Sequence, residues 1–353
     1  MEFGRMQSGS LSQVVDLVKD KIQTYDIEVN PVALTFFYLK SDNPTMDQKF
    51  DELRKELVPM GFIPFLREDV ENVLIVTVAR KRHYLENKVN VILFAMTLVA
   101  TVYWGSIYAS NFSTSETQSI LYGFLFFAGP LLLILGLHEL GHFIVAKRLS
   151  VEASFPFFIP FPLYLGTFGA FISLRDPIPN RRAMVEIGAA GPIVGFLSCI
   201  PFLFLANYLQ QFFPATGNNS MFTVNFPYLY DLLGLHSGSA PVFPMVLAVW
   251  VGFLATAMNL LPLSQLDGGH IARGILGGNS NILGYGIVGF LVFIGLAYNY
   301  PGWIFLAMFG MVMGLSHPPP LDDYSKINFR DAIIAAVTVA MFLLSFTAKP
   351  IIP

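Results

Sequence analysis

Apolar positions divide this chain into two materials. Up to about residue 88 they recur at short periods among charged residues; beyond it they form long runs broken by short polar stretches. In the first part, Leu11, Val14, Val15 and Val18 share one face of a helix predicted from Leu11 to about Tyr25, with Ser10 placed to cap it. Ala33 to Leu39 reads as a strand. A helix follows from Thr45 through Phe50, Leu53 and Leu57 and closes near Gly61. Phe62 to Leu66 and Val73 to Val78 read as a strand pair around Glu68-Asp69. An α-β-α-β-β order predicts a small α+β domain over residues 1–88. Nothing in it has catalytic spacing, so a regulatory or substrate-filtering module is expected.

The second part, residues 89–353, predicts an α-helical polytopic membrane body of about seven spans. They lie near Val89–Tyr108, Ile120–Ala146, Met184–Leu209, Val242–Leu263, Ile282–Ala297, Gly302–Leu315 and Ala332–Phe346. One apolar stretch cannot be a regular helix. Pro156, Pro160 and Pro162 remove backbone donors within seven residues, and Gly166 to Leu174 then reads as a glycine-rich strand. Non-helical backbone at membrane depth is tolerated only beside protein or a water-filled cavity, so a re-entrant hairpin or loop beside a site is expected from Phe155 to Leu174.

Composition agrees with the pattern. Of 353 residues, 54% are hydrophobic and 13% charged, and the mean hydropathy is +0.59, which is membrane-protein territory. The net charge of −3 argues against a nucleic-acid partner. A single cysteine, Cys199 in an apolar run, excludes an intrachain disulfide and reads as a small buried residue. The N-terminus lacks a signal-peptide core, so insertion is expected to use the first internal span. Twelve of the 21 Lys and Arg precede residue 89; with the N-terminal domain in the cytoplasm and seven spans, all the later ones except Lys349 fall on the same side. A multi-pass protein of the cell membrane with a cytoplasmic N-terminus is the expectation.

The second span ends on His138-Glu139-Leu140-Gly141-His142. Residues four apart on a helix differ by about 40° around the axis and roughly 6 Å along it, so both imidazoles reach one metal ion with Glu139 beside them. A chance match would leave three ionisable side chains at membrane depth without a purpose. A catalytic zinc takes three protein ligands and keeps a position open. Asp267, read as the end of the fourth span with Gly268-Gly269 letting the chain turn back, is the best third ligand, and His270 is the runner-up. Glu186 follows Arg181-Arg182 and reads as an interfacial charge. His317 precedes three prolines and reads as part of a turn. His83 and His236 fall outside by topology. In that chemistry Glu139 takes the proton of water and passes it to a leaving amine. Asn259, eight residues before Asp267, either donates to an oxyanion or makes a packing hydrogen bond.

Together, His138-Glu139-Leu140-Gly141-His142, Asn259-Leu260-Leu261-Pro262 and Leu266-Asp267-Gly268-Gly269 resemble the site-2 proteases, the intramembrane zinc metalloproteases. Gly166-Thr167-Phe168-Gly169-Ala170 and Ala190-Gly191-Pro192 fit the same family, and the resemblance covers about residues 120–275. It implies one zinc per chain held by His138, His142 and Asp267, with Glu139 as the base. It also implies that Asn259 positions substrate or stabilises the oxyanion, and that a glycine-rich strand pairs with an unwound transmembrane protein substrate. The family's usual Asn-Pro is Asn259-Leu260 here, and no PDZ-like insertion is visible, which is closer to the archaeal and chloroplast branch. Two other classes compete: an ion or solute transporter using buried His and Asp, and a pseudoprotease that binds without cutting. Oligomeric state is left open by the sequence.

Overall fold

In the N-terminal domain, side-chain alternation builds a sheet with one face under two helices. The computed structural model describes residues 8–39, 43–68, 71–79, 87–217, 223–235, 241–263, 265–315 and 317–352. The domain runs α1 (Ser8–Lys21), β1 (Thr24–Val29), β2 (Ala33–Tyr38), α2 (Asn43–Leu57), β3 (Phe62–Glu68) and β4 (Asn72–Val78), with antiparallel strand order β1-β2-β4-β3. Leu34, Phe36, Leu74 and Val76 alternate inward and are fully buried against Val14, Val18, Leu53 and Leu57 of the two helices. The expected first helix therefore stops at Lys21, four residues short, and Ser10 lies inside it rather than capping it. The strand that follows was missed because Thr24 to Val29 is an edge strand whose Tyr25 and Val29 stay exposed. Half-burial gave it no apolar run to read.

Four described helical stretches are long and apolar enough to cross a membrane: Lys88–Phe112, Glu116–Arg148, Arg181–Phe212 and Asp267–Ala297, of 25, 33, 32 and 31 residues. They contain α3 (Asn87–Ala109), α4 (Glu116–Tyr122), α5 (Gly129–Arg148), α6 (Arg181–Leu209), then, past a short α7 (Tyr228–Leu232) and α8 (Pro244–Asn259), α9 (Asp267–Leu276) and α10 (Ser280–Ala297). A π-helical turn, Gly123–Ala128, joins α4 to α5. Two further apolar helices, α8 and α11 (Pro301–Met313), have 16 and 13 residues, and α12 (Phe329–Ser345) has 17. About 20 residues cross the hydrocarbon core, so the count of about seven spans is not confirmed. The expected fourth span also ends earlier than read, at Asn259, and the fifth begins earlier, at Asp267. Between α5 and α6 lies the expected hairpin: β5 (Phe157–Pro160) pairs antiparallel with β6 (Thr167–Phe171), Phe158 opposite Ala170. Cys199 is buried and free, beside Gly252 of α8. The basic flank from Arg80 to His83 and His236 lie outside the described residues.

The N-terminal domain is tied to the helical body at two places. Arg54 of α2, 1% exposed, pairs with Asp51 at 2.7 Å and donates to the carbonyls of Leu149 and Ser150, each at 3.0 Å. A cation there satisfies the carbonyls of the two residues that follow α5. The second tie is a ribbon. The Leu66 amide of β3 donates to the Leu321 carbonyl at 2.9 Å, the Leu321 amide to Ile178 at 3.0 Å and the Asp322 amide to Pro179 at 2.9 Å. Leu321 is 1% exposed inside the domain's own core.

Asp322 is buried in that ribbon, and burial pushes its carboxyl up to about 6, against backbone amides of Tyr324 and Ser325 that favour the charged form. A carboxyl raised on folding stabilises the protein fully below its unfolded value, near 4, and this contribution disappears as pH rises through about 6. Asp322→Asn keeps the acceptor oxygen without the charge. At pH 7.5 it is expected to stabilise the protein by up to about 3 kcal/mol, with the gain shrinking toward pH 4.5. Thermal unfolding of both proteins at the two pH values checks the sign.

Candidate metal centre

The Leu135–His142 segment of α5 is apolar except where two imidazoles and a carboxyl interrupt it. Helical spacing stacks His138 and His142 on one face, with ring centroids 5.0 Å apart. That face meets α6 and α9. His138, Glu139 and His142 are each 5% exposed. Asp267 reaches the same point from the first turn of α9, where a carboxylate is favoured by the helix dipole.

Asp267 therefore arrives by a different route from the one read in the sequence. It opens a helix rather than ending a span. The glycine after it is helical, and its service is close approach: a Cβ on Gly268 would sit 2.1 Å from the Leu260 carbonyl oxygen. The absence of a side chain lets α9 lie against the turn that leaves α8, which carries the carboxylate inward.

Distances among the three groups are short. His138 Nε2 is 3.1 Å from Asp267 Oδ2, His142 Nε2 is 3.2 Å from Asp267 Oδ1, and the two Nε2 atoms are 3.3 Å apart. Among the described residues this is the cluster of His, Cys, Asp and Glu able to hold a metal ion. The donor set can be tested against a specific ion. Ligands about 2.0–2.1 Å from a tetrahedral zinc stand about 3.3 Å from one another, so the observed triangle fits zinc, with two nitrogens and one carboxylate as a hydrolytic zinc site uses. His142 Nδ1 donates to the Ile187 carbonyl of α6 at 2.7 Å, which fixes the ring and leaves Nε2 free to ligate. Sequence reasoning missed Ile187, because a backbone carbonyl leaves no side-chain signal.

The remaining predicted residues sort by distance. Glu139 Oε1 is 3.9 Å from His138 Nε2, and Asn259 Nδ2, at the end of α8, is 3.4 Å from the same atom. His270, the runner-up ligand, is one turn further along α9; its Nδ1 donates to the Leu266 carbonyl at 3.1 Å and its ring packs on His317, with centroids 4.2 Å apart. Burial holds the His317 imidazole down at about 4, so it is neutral at pH 7. Glu186 faces Arg330 at 3.6 Å. Two cavities of about 120 Å³ flank the cluster. One is lined by Glu139, Phe168, Gly169 and Asn259 and opens along β6; the other is lined by Glu139, His142, Asp267 and Gln265.

Gly191 is the tightest point. A Cβ there would lie 2.0 Å from His142 Nε2. Nothing flexible can give way, because the atom it meets is the one facing Asp267. Gly191→Ala is expected to displace the imidazole and weaken metal binding by about 10–100-fold or more, read as the zinc concentration needed for half-occupancy.

Comparisons with known proteins agree with this geometry. Residues 126–297 match the model of peptidase family M50. The chain is 28% identical over 255 residues to a probable chloroplastic zinc metalloprotease, EGY1, of Arabidopsis thaliana, covering 66% of this chain and 45% of the relative. It is 36% identical over 156 residues to the probable chloroplastic zinc metalloprotease EGY2 of the same plant, covering 41% and 27%. The chain thus spans less than half the length of these curated relatives. No solved structure matches it significantly. The segment that matches peptidase family M50, just under half of the chain, holds His138, Glu139, His142, Asn259 and Asp267.

Proposed function

We propose that this protein hydrolyses a peptide bond within or near a transmembrane segment of membrane-bound protein substrates, using one zinc ion held by His138, His142 and Asp267. The observation that carries this reading is the triangle of ligand atoms, 3.1, 3.2 and 3.3 Å on its sides, buried in a helical body with Glu139 beside it. Zinc held there would supply Lewis acidity, polarising a carbonyl and lowering the pKa of water to about 7.

The chain's own groups divide the rest of the work. Glu139 lines both small cavities and carries the proton from water to the leaving amine. Asn259 Nδ2 is placed to donate to an oxyanion developing beside His138. The cavity along β6 receives the substrate as an added strand, with Thr167–Phe171 supplying backbone partners. Phe168, 60% exposed, and Phe171, 42% exposed, offer apolar contact to a transmembrane sequence.

In this reading residues 89–353 are the membrane-embedded protease domain, with the β5-β6 hairpin re-entrant and α8, α11 and α12 completing the body at membrane depth. Residues 1–88 are a regulatory or substrate-filtering domain on the cytoplasmic or equivalent face. The relatives are chloroplastic by name, so the expected placement in the cell membrane is not supported. Metal removal tests the reading: protein reconstituted in liposomes with a transmembrane substrate is expected to lose cleavage on chelation and recover it with zinc. Cleavage that survives complete metal removal would sink it.

A further inference from the structure

The α+β domain buries one face of its sheet under helices and leaves the other uncovered. Strand register identifies the uncovered face: Ala33, Thr77 and Ile63 form one row, Thr35, Ile75 and Phe65 the next, and Phe37, Val73 and Arg67 the third. Except at exposed Arg67 these side chains are half-buried, and no helix or strand among the described residues is layered on them. An antiparallel sheet usually gives its open face to polar residues, but Ile63, Phe65, Ile75, Phe37 and Val73 make this one largely apolar.

This face begins at a cavity. A chamber of about 800 Å³ lies between the domain and the helical body, with Ile63 and Thr77 in one wall and Arg175, Gln265, His270 and His317 in the other. Leu174, Gln265 and His270 also line the 120 Å³ cavity that holds Glu139, His142 and Asp267. The chamber therefore adjoins the metal centre and has room for roughly two dozen waters. On the far side of the sheet face, exposed Asp26 and Glu28 of β1 pair with Phe37 and Thr35 and give it an acidic rim.

We propose that the uncovered sheet face receives the apolar half-segment of a cleaved transmembrane helix as it leaves the metal centre through the interdomain chamber. The inference rests on the protease reading above. Two features select this occupant. The face borders the chamber, and the chamber shares wall residues with the cavity at the site, so a segment leaving that way meets this face first. The acidic rim complements the Lys and Arg that flank transmembrane segments on the cytoplasmic side. Arg67 stands at the opposite corner, which sets the direction in which a basic-flanked segment lies.

The test uses full-length protein carrying Glu139→Gln, in detergent, and a fluorescent peptide of ten apolar residues followed by three lysines. Anisotropy is expected to show saturable binding. Phe65→Asp combined with Ile75→Asp is expected to weaken it at least about tenfold. Asp26→Lys with Glu28→Lys changes only exposed side chains, so it keeps the test open if the first variant fails to fold. It is expected to weaken the lysine-flanked peptide and tighten a glutamate-flanked one. No saturable binding, or binding unaltered by the rim reversal, overturns the proposal. Zinc-dependent cleavage by the wild-type protein is measured alongside. Cleavage with unaltered peptide binding removes the docking face and leaves the protease reading standing; no cleavage removes that reading and the origin of the occupant with it.

Discussion

Glu139→Gln is expected to lower the rate of substrate cleavage by about 10²–10⁴-fold while zinc stays near one per chain. Glutamine keeps the volume and one carbonyl oxygen but accepts no proton at neutral pH. Glu139 is not one of the three groups in the ligand triangle; its Oε1 lies 3.9 Å from His138 Nε2. It lines the cavity along β6 and the one toward Gln265, so it alone among the site's carboxyls borders both. Metal analysis and cleavage rate on the same preparation separate the two quantities. A variant that cleaves at the wild-type rate would remove Glu139 from the proton path.

Asp267→Ala is expected to behave in the opposite way, losing metal first and activity in proportion. Its two oxygens lie 3.1 and 3.2 Å from the two imidazoles. Without them only two nitrogens remain, and a two-ligand site does not hold zinc against water. Outer partners of a metal ligand are worth about 10–100-fold in affinity, so loss of a ligand itself exceeds about 100-fold. Alanine also leaves Nε2 atoms 3.3 Å apart with no counter-charge. The check is zinc content against activity across a titration of added zinc. Full occupancy at wild-type affinity would show that the third ligand lies elsewhere, and His270 would be the residue to change next.

The three residues of the candidate metal centre could be picked out in the sequence because their chemistry is side-chain chemistry at fixed helical spacing. His138 and His142 need only the 3.6-residue turn, and Asp267 stood out as a carboxyl in an apolar stretch. How Asp267 gets there was not legible. Both a span end and a helix start satisfy Leu266-Asp267-Gly268-Gly269, and the choice is made by the Leu260 carbonyl pressing on Gly268. The small domain was legible except for β1, whose exposed Tyr25 and Val29 carry no buried periodicity. Spans were harder. α8 is buried almost all round within the body, so its apolar run records packing as much as membrane depth. No observation favours a transporter: the buried imidazoles and carboxylate converge on one point instead of lining a path.

The Leu321 contact has a consequence in time. The β3 edge and the pocket in the domain core are complete once Val78 has been made, but their partner is Leu321, 321 − 78 = 243 residues later. At about 5–20 residues per second, translation leaves them without it for roughly 12–49 s. During that interval the nascent domain presents an unpaired strand edge and an unfilled apolar hole, the two features that invite pairing with other chains. A tie that locks the finished molecule is, during synthesis, an interval of vulnerability that has to be covered before the last helices are inserted.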